Sequence, residues 1–318
     1  MQNKQQQQTQ ILETCFDYYL SECEFTKQLR PQTLKSYRDV FETFSRVMPE
    51  LKQVSDLRIY TFHEFFKRLS TRKRKIGQQY KTTGVKPSTI RTYYNKLIAF
   101  FHWLEDKNYL QEGFCKKITK PPKPKYDDDK ALDSEEISRI ISAITIHTVK
   151  DDFLNIRDLV MIQILLYTGI RKGELLGLQI TDIHFDQRQL QIRAETSKSK
   201  RNRKIPLHTN LLILLRKYLN QRKQLNYKTP FLICSSKSDS KLSVHGLKHW
   251  VEKYKRLSGV KFHIHQFRHT FACSLAKTNA DIISIMRVLG HTTTAMTQRY
   301  LRSIKIEESR SYIDALSY

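Results

Sequence analysis

Apolar residues recur at helical spacing through the first third of the chain. Residues three or four positions apart lie on one face of a helix, and two such stripes come first: Leu12, Phe16, Tyr19 and Leu20, then Leu34, Tyr37, Val40, Phe41 and Phe44. A third helix is predicted from Tyr60 to Leu69, and a fourth begins near Ser88, a suitable N-cap residue. The apolar positions of the fourth helix are Tyr93, Leu97, Phe100 and Phe101. The pattern predicts a four-helix domain over residues 11–115, after a glutamine-rich tail at residues 1–10 that we expect to be disordered.

A proline-containing, charged segment follows this domain. Prolines at residues 121–124 stiffen the chain and the acidic run at residues 127–129 keeps it solvated, which predicts a linker over residues 116–130. Helical sequence then restarts, with Asp133 or Ser134 as the cap and glutamates in the first turn, where the helix dipole favours them.

The remaining residues, 131–318, form a second predicted domain. Residues 154–167 have the composition of a buried helix, and residues 180–207 alternate as the strands of a small sheet do. Helical sequence resumes at Leu211 and continues towards the end of the chain. The predicted fold class is therefore mainly α, with a small β-sheet in the second domain.

The chain carries a large positive charge. It has 56 Lys and Arg against 31 Asp and Glu, a formal net charge of +25. Such a charge favours binding to a polyanion, and nucleic acid fits better than an anionic membrane surface or mere solubility because the basic residues are spread over the whole length. A basic run at residues 71–77, between the third and fourth predicted helices, is a solvated surface in the simplest interpretation, but on so basic a chain phosphate contact is favoured. The candidate DNA-binding residues are Arg72, Lys73, Arg74, Lys75, Lys86, Arg91, Lys200 and Arg201.

The cysteines and the hydropathy pattern bear on the compartment. The five cysteines are widely spaced and include no C-x-x-C pair, which favours reduced thiols over disulfides or a zinc site. No stretch of 18 apolar residues could span a membrane, and the start of the sequence lacks the apolar core of a signal peptide. We therefore expect a cytoplasmic, nucleoid-associated protein.

Six residues in the second domain stand in sequence contexts that suggest one chemistry. Arg171 follows Thr168-Gly-Ile and precedes Glu174, His265 and Arg268 are three apart, and Leu289-Gly-His291 is followed nine residues later by Tyr300; the sixth residue is Lys198. Two arginines, a lysine and two histidines can surround a phosphodiester with positive charge and hydrogen-bond donors. A tyrosine hydroxyl can attack the phosphorus and hold it covalently.

This arrangement resembles the tyrosine recombinase (phage integrase) family, whose six active-site residues occur in the same order. The resemblance implies a SAM-like, four-helix core-binding domain and a catalytic domain that together form a C-shaped clamp on duplex DNA. It also implies that Tyr300 forms a 3′-phosphotyrosine, and that a partner strand's 5′ hydroxyl reverses this step through a Holliday junction. The function implied is site-specific DNA recombination: integration, excision or dimer resolution.

The resemblance assigns a role to each of the other residues. Arg171 and Arg268 would bind the phosphate oxygens, His265 would move a proton or contact the phosphate, and His291 would donate to a nonbridging oxygen. Glu174 would orient this cluster without touching the substrate. These roles need neither a metal ion nor another cofactor, since the phosphoester energy is conserved.

The lysine position rests on a motif downstream. Family members carry this lysine in a β-hairpin turn before an Arg-x-x-Pro-Leu strand, and Arg203-Lys-Ile-Pro206-Leu207 fits that strand. Counting back five residues selects Lys198 as the general acid that protonates the departing 5′ oxygen. Lys200 stays open as the alternative.

Other functions share some of these features. A type IB topoisomerase uses a similar set of residues, and a non-catalytic DNA-binding protein would share the charge but predicts damage at one or more of the six positions. The spacing of His265 and His269, with His263 nearby, also suits a zinc site, although the glutamate of an H-E-x-x-H motif is replaced by Gln266.

The expected partners follow from the resemblance. They are double-stranded DNA with paired half-sites, three further protomers in a homotetramer (or a heterotetramer with a paralogue), and accessory DNA-bending or directionality factors. About 125 residues precede the catalytic domain, too few for an added arm-binding domain, which suits Xer-like resolvases and simple transposon integrases alike. Residues 301–318 end in positions that are apolar at helical spacing, Tyr312, Ile313, Ala315 and Leu316. We expect this segment to dock on a neighbouring protomer, with its own domain as the alternative.

Overall fold

The computed structural model describes residues 10–72, 74–76, 79–81, 84–122, 131–148, 151–197, 201–278 and 280–301. The chain divides into two compact units, Met1–Tyr126 and Asp127–Tyr318. None of the helices in these described ranges combines the length and apolar character needed to cross a membrane.

The first unit contains the four predicted helices. They are α1 (Leu12–Ser21), extended by a π-helical turn at Glu22–Thr26, then α2 (Pro31–Val47), α3 (Thr61–Thr71) and α4 (Pro87–Asp106). The prediction that Ser88 caps α4 is wrong: Lys86 is the N-cap, and Pro87 occupies the first helical position, where its missing N–H costs nothing. The basic run also contains one strand of a hairpin, since β1 (Arg74–Ile76) pairs antiparallel with β2 (Gln79–Lys81), which follows the run.

The core of the first unit is largely aromatic. Phe16 of α1 stacks on Phe41 of α2 with ring centroids 3.8 Å apart, and it meets the edge of Phe100 of α4 at 5.2 Å. Both stripes predicted from the sequence face this core, except that Tyr37 is only partly buried. The indole Nε1 of Trp103 donates to the Glu22 carboxylate at 2.8 Å, which joins the ends of α1 and α4. Aromatic packing across three helices thus holds this unit together.

The second unit is a helical domain around a central helix, α6. Its elements are α5 (Ser134–His147), α6 (Asp152–Thr168), α7 (Lys172–Gly177), β3 (Ile183–His184), β4 (Gln189–Ile192), β5 (Arg203–Pro206), α8 (Thr209–Gln224), α9 (Val244–Ser258), α10 (Ile264–Lys277), α11 (Ile282–Leu289) and α12 (Thr294–Leu301). Asp133 caps α5 as predicted, and its carboxylate accepts from the Glu136 N–H at 2.8 Å. Helix α6 packs against α5, α8 and α10 and buries apolar side chains on all its faces, as its composition predicted.

The strands form an antiparallel sheet in the order β3-β4-β5. Leu190 lies opposite Ile205 and Ile192 lies opposite Arg203, so these four side chains share one face of the sheet. Leu190, Ile192 and Ile205 are buried in the core of the unit. The register therefore places a charged residue, Arg203, on the inward face, where it needs a buried partner.

Helix α6 ends at a glycine that the geometry requires. Gly169 has a φ of 57°, in the left-handed region that favours glycine. A Cβ atom there would lie 2.3 Å from Cδ1 of Phe271, a residue of α10. This close approach brings the end of α6, and with it Arg171 two residues later, against α10.

Candidate active site

A buried carboxylate lies at the centre of the candidate site. Glu174, in the first turn of α7, is fully buried. Its Oε2 accepts from the backbone N–H of Arg171 at 2.9 Å, and its Oε1 accepts from Nη1 of the same arginine at 3.0 Å. Arg171 is thereby fixed through both its backbone and its guanidinium, while a fifth of its side chain stays exposed, at 20%.

A second arginine binds the same carboxylate from the sheet. Arg203 donates from Nη1 to Oε1 of Glu174 at 3.0 Å and from Nη2 to Oε2 at 2.7 Å, a bidentate pair. Burial alone would raise the pKa of Glu174. The hydrogen bonds and charge of Arg203, with those of Arg171, outweigh burial and lower the pKa to about 2. Glu174 is therefore ionised throughout the neutral range.

Arg268 lies next to this pair on α10. Its guanidinium donates from Nη1 to the carbonyl of Gly169 at 2.8 Å and from Nη2 to the carbonyl of Leu289 at 2.7 Å. The residue is 1% exposed. Arg268 thus closes the C-terminal ends of α6 and α11, where the helix dipoles favour a positive charge.

His291 follows the glycine turn after α11. Gly290 has a φ of 66°, so the chain reverses here and brings the imidazole towards the arginines. The Nδ1 atom of His291 lies 2.8 Å from the hydroxyl of Thr297 on α12. Burial and then the charges of Arg268, Arg171 and Arg203 lower the pKa of His291 to about 3. The ring is consequently neutral at physiological pH.

The other histidines of this region have different surroundings. His265, at the start of α10, is exposed and close enough to His291 to influence its pKa. His263 caps α10, and its Nδ1 accepts from the Gln266 N–H at 3.1 Å. His269 is buried, with Nε2 3.5 Å from Sγ of Cys273. Of the three, only His265 is both exposed and next to the arginine cluster.

Three predicted features of the second unit lie outside the described residues or next to them. Lys198 and Lys200 lie outside the described residues, and Arg201, just after them, is exposed. Tyr300 belongs to α12, one helical turn after Thr297. The predicted C-terminal segment, from residue 302 on, also lies outside the described residues.

The candidate DNA-binding residues of the first unit lie around its hairpin and α4. Arg72 follows α3 and Lys86 is exposed before α4, while residues 74 and 75 belong to β1 and residue 73 lies outside the described ranges. Arg91 donates to the carbonyl of Pro121 and lies over the ring of Tyr94, 6.0 Å from its centroid. Part of the Arg91 side chain is therefore used within its own unit.

One group of potential metal ligands occurs among the described residues, and it lies in the first unit. Ligand atoms of His102, Glu105 and Cys115 are all within 4.8 Å of one another. The Glu105 carboxylate also accepts from the backbone N–H of Gly113 and, at 3.3 Å, from that of Cys115. These bonds close the loop after α4, and they explain the position of the Glu105 carboxylate without a metal ion.

Two residues of the candidate active site, Arg203 and Thr297, were not identified from the sequence pattern. Arg203 served only as a marker of the strand motif, and no role was predicted for Thr297, three residues before Tyr300. The alternation of β5 held a signal for Arg203, because a charged residue at an inward strand position needs a buried counter-charge. Thr297 is fully buried on α12, but its hydroxyl reaches His291 through a turn that no local pattern specifies.

The lowered pKa of His291 predicts how stability depends on pH. An unfolded histidine has a pKa of 6.5, against about 3 in the fold. Between these values the unfolded chain takes up a proton that the folded chain does not, so stability falls as the pH is lowered through 6.5. Glu174 acts in the same direction, but only below 4.5.

We expect His291 to account for a loss of up to about 2 kcal/mol in the free energy of unfolding between pH 7.5 and 5.0. Urea denaturation of the full chain measures it. The His291→Gln variant should lack this part of the pH dependence. An equal loss of stability in wild type and variant would show that the histidine is not held neutral.

The chain is similar to known proteins over most of its length. A family model described as the phage integrase family matches residues 130–306, more than half of the chain. The tyrosine recombinase XerC of Proteus mirabilis is 24% identical over 293 residues, covering 92% of this chain and 90% of that protein. A tyrosine recombinase of Agathobacter rectalis is 29% identical over 305 residues, covering 91% and 92%.

Solved structures share the fold over nearly the whole chain. The XerH site-specific recombinase bound to a palindromic difH substrate, in a post-cleavage complex, is 19% identical with a TM-score of 0.67 and coverage of 93% of this chain and 82% of that one. The Tn1549 transposon integrase in complex with transposon right end DNA is 17% identical with a TM-score of 0.70 and coverage of 96% and 99%. By the match of its second unit and the similarity of both units, the chain belongs to the phage integrase family, the tyrosine recombinases.

Proposed function

We propose that this tyrosine recombinase cleaves and rejoins duplex DNA at specific sites, with Tyr300 as the nucleophile. The observation that carries the proposal is the convergence of Arg171, Arg268 and His291 beside the helix that contains Tyr300. The three converging residues come from the start of α7, from α10 and from the turn after α11, and they meet around the ends of α6 and α11. The relatives named XerC and XerH, the latter solved on a DNA substrate, support the same activity.

The charge of the cluster suits a phosphodiester. Arg171 and Arg203 share the Glu174 carboxylate, and Arg268 binds the carbonyls of Gly169 and Leu289. These four side chains contribute three positive charges and one negative charge. The surplus positive charge is fixed before the DNA arrives. A pentavalent phosphorus gains negative charge as it forms, so preorganised donors stabilise it more than they stabilise the bound substrate.

In the proposed reaction the Tyr300 hydroxyl gives up its proton, with His265 as the proposed acceptor, while its oxygen attacks the phosphorus and the bond to the 5′ oxygen breaks. Lys198, or Lys200, gives its proton to the departing oxygen, and a 3′-phosphotyrosine remains. The 5′ hydroxyl of a partner strand then attacks the phosphotyrosine and regenerates the phenol. One phosphoester replaces another at each step, and exchange between two duplexes proceeds through a Holliday junction.

The proposed partner is double-stranded DNA with two half-sites on each duplex, and four protomers bind two such duplexes. A lambda integrase dimer solved on a COC′ core site supports pairing on DNA. The relatives include Xer proteins and a transposon integrase, and the chemistry is the same for chromosome resolution and for movement of an element. The charge of +25 provides the sequence-independent part of binding.

The nucleophile can be tested by removing one oxygen atom. Tyr300→Phe should abolish the covalent protein–DNA adduct and leave half-site binding nearly unchanged, because only the attacking oxygen is lost. A nicked suicide substrate traps the adduct of the wild type as a slower band on a denaturing gel. An adduct formed by Tyr300→Phe would assign the nucleophile to another residue.

The general acid can be distinguished between the two lysines. Lys198→Ala should slow cleavage by roughly 10²–10⁴-fold, the usual contribution of a positioned acid. A substrate with sulfur at the 5′ bridging position has a better leaving group and should restore most of that rate. Lys200→Ala is the matched control; if sulfur rescues Lys200→Ala and not Lys198→Ala, the acid is Lys200.

The hydroxyl of Thr297 should set the protonated nitrogen of His291. If the hydroxyl donates to Nδ1, the proton of the neutral ring resides on Nε2, which can then donate to a phosphate oxygen. Thr297→Val removes the hydroxyl with little change of shape and should slow cleavage roughly five- to tenfold. Thr297→Ser should restore the rate, and a wild-type rate in Thr297→Val would contradict the assignment.

A further inference from the structure

Three arginines bind three successive carbonyls at the end of α11. Arg203 Nε donates to the carbonyl of Val288 at 2.9 Å, Arg268 Nη2 to that of Leu289 at 2.7 Å, and Arg171 Nη2 to that of Gly290 at 3.4 Å. The arginines come from β5, α10 and the start of α7. This turn, the negative end of a helix dipole, is therefore held from three directions, immediately before His291.

Arg203 makes its hydrogen bonds to groups of the protein. Its side chain is 8% exposed, and each of its three nitrogens donates to a group of the protein: Nε to Val288, and Nη1 and Nη2 to the Glu174 carboxylate. Its guanidinium plane also packs on the turn, since a Cβ atom at Gly290 would lie 3.1 Å from its Cδ and Nη1. The geometry directs Arg203 towards the protein and away from a bound phosphate.

The position of Arg203 in the chain gives this packing a consequence. It is the first residue of β5, directly after the segment that contains Lys198 and Lys200. Through Glu174 it is joined to Arg171, and through Val288 to the turn that presents His291. The Arg203 guanidinium thus connects the start of β5, which follows Lys198 and Lys200 in the chain, with Arg171 and with the turn before His291.

We infer that Arg203 is a positioning residue for DNA strand cleavage, which acts through Glu174 and the end of α11 and does not touch the DNA. The inference rests on the proposed function. Only a planar fork reaches the carboxylate in bidentate geometry and a carbonyl at the same time, so a lysine of equal charge cannot replace it. A misplacement of reacting groups by about 1 Å can cost about 10²-fold in rate.

The test compares Arg203→Lys with Arg222→Lys. Arg222 is a matched control because it is also buried, at 2% exposure, and also donates to backbone carbonyls, those of Phe231, Leu232 and Thr229. It lies on α8 and has no described bond to the arginine cluster. Both variants are measured at a temperature below their melting points, with single-turnover cleavage of a nicked suicide substrate at saturating protein and with half-site affinity by gel shift.

Arg203→Lys should cleave about 10²-fold more slowly than wild type with half-site affinity nearly unchanged. Arg222→Lys should melt at a lower temperature and cleave at the wild-type rate. Glu174→Gln, which weakens the same ion pair with little change of shape, provides the second variant and should also slow cleavage. Wild-type cleavage rates in Arg203→Lys or in a folded Glu174→Gln would overturn the inference. Failure of the wild type itself to form an adduct would instead overturn the proposed function, so the two failures are distinguishable.

Discussion

The buried carboxylate of Glu174 is the interaction on which the second unit's arrangement depends. An ionised carboxylate without exposure to water costs several kcal/mol unless it is paired and hydrogen-bonded. Arg171 and Arg203 supply that pairing, from α7 and from the sheet, together with a backbone N–H. Because Arg171 and Arg203 must both reach this carboxylate, it fixes the start of α7 and the inward face of β5 relative to each other.

The helix ends complete the balance of charge. Three guanidiniums lie close together near His291, two of them bound to one carboxylate, and their mutual repulsion would be unfavourable without further negative potential. The carbonyls at the ends of α6 and α11 provide it, since Arg268 spans Gly169 and Leu289. These partial charges offset the repulsion without neutralising the cluster. The fold can therefore keep positive charge in place before an anion binds. It also keeps His291 neutral beside that charge.

The sequence predicted the elements well and their long-range contacts poorly. The apolar stripes, the buried α6 and the Asp133 cap depend on local spacing, which a sequence displays directly. The predicted Ser88 cap was wrong because a proline at the first helical position defines the start instead, and the hairpin at residues 74–81 lies in a polar run without alternation. The order of motif residues indicated which side chains belong together. The contacts of Arg203, with groups 29 and 85 residues away, arise only when the domain folds.

The pairing of Glu174 with two arginines can be tested through the ionisation of its carboxyl group. Carbon-13 NMR of the glutamate carboxyl groups, with the Glu174 resonance assigned by its loss in Glu174→Gln, measures the protonation of this group in the folded protein. The pairing predicts a pKa of about 2, so the resonance should not shift between pH 7 and pH 4. A titration centred near the ordinary value of 4.5 would contradict the account, because it would mean that the two guanidiniums do not hold the carboxylate.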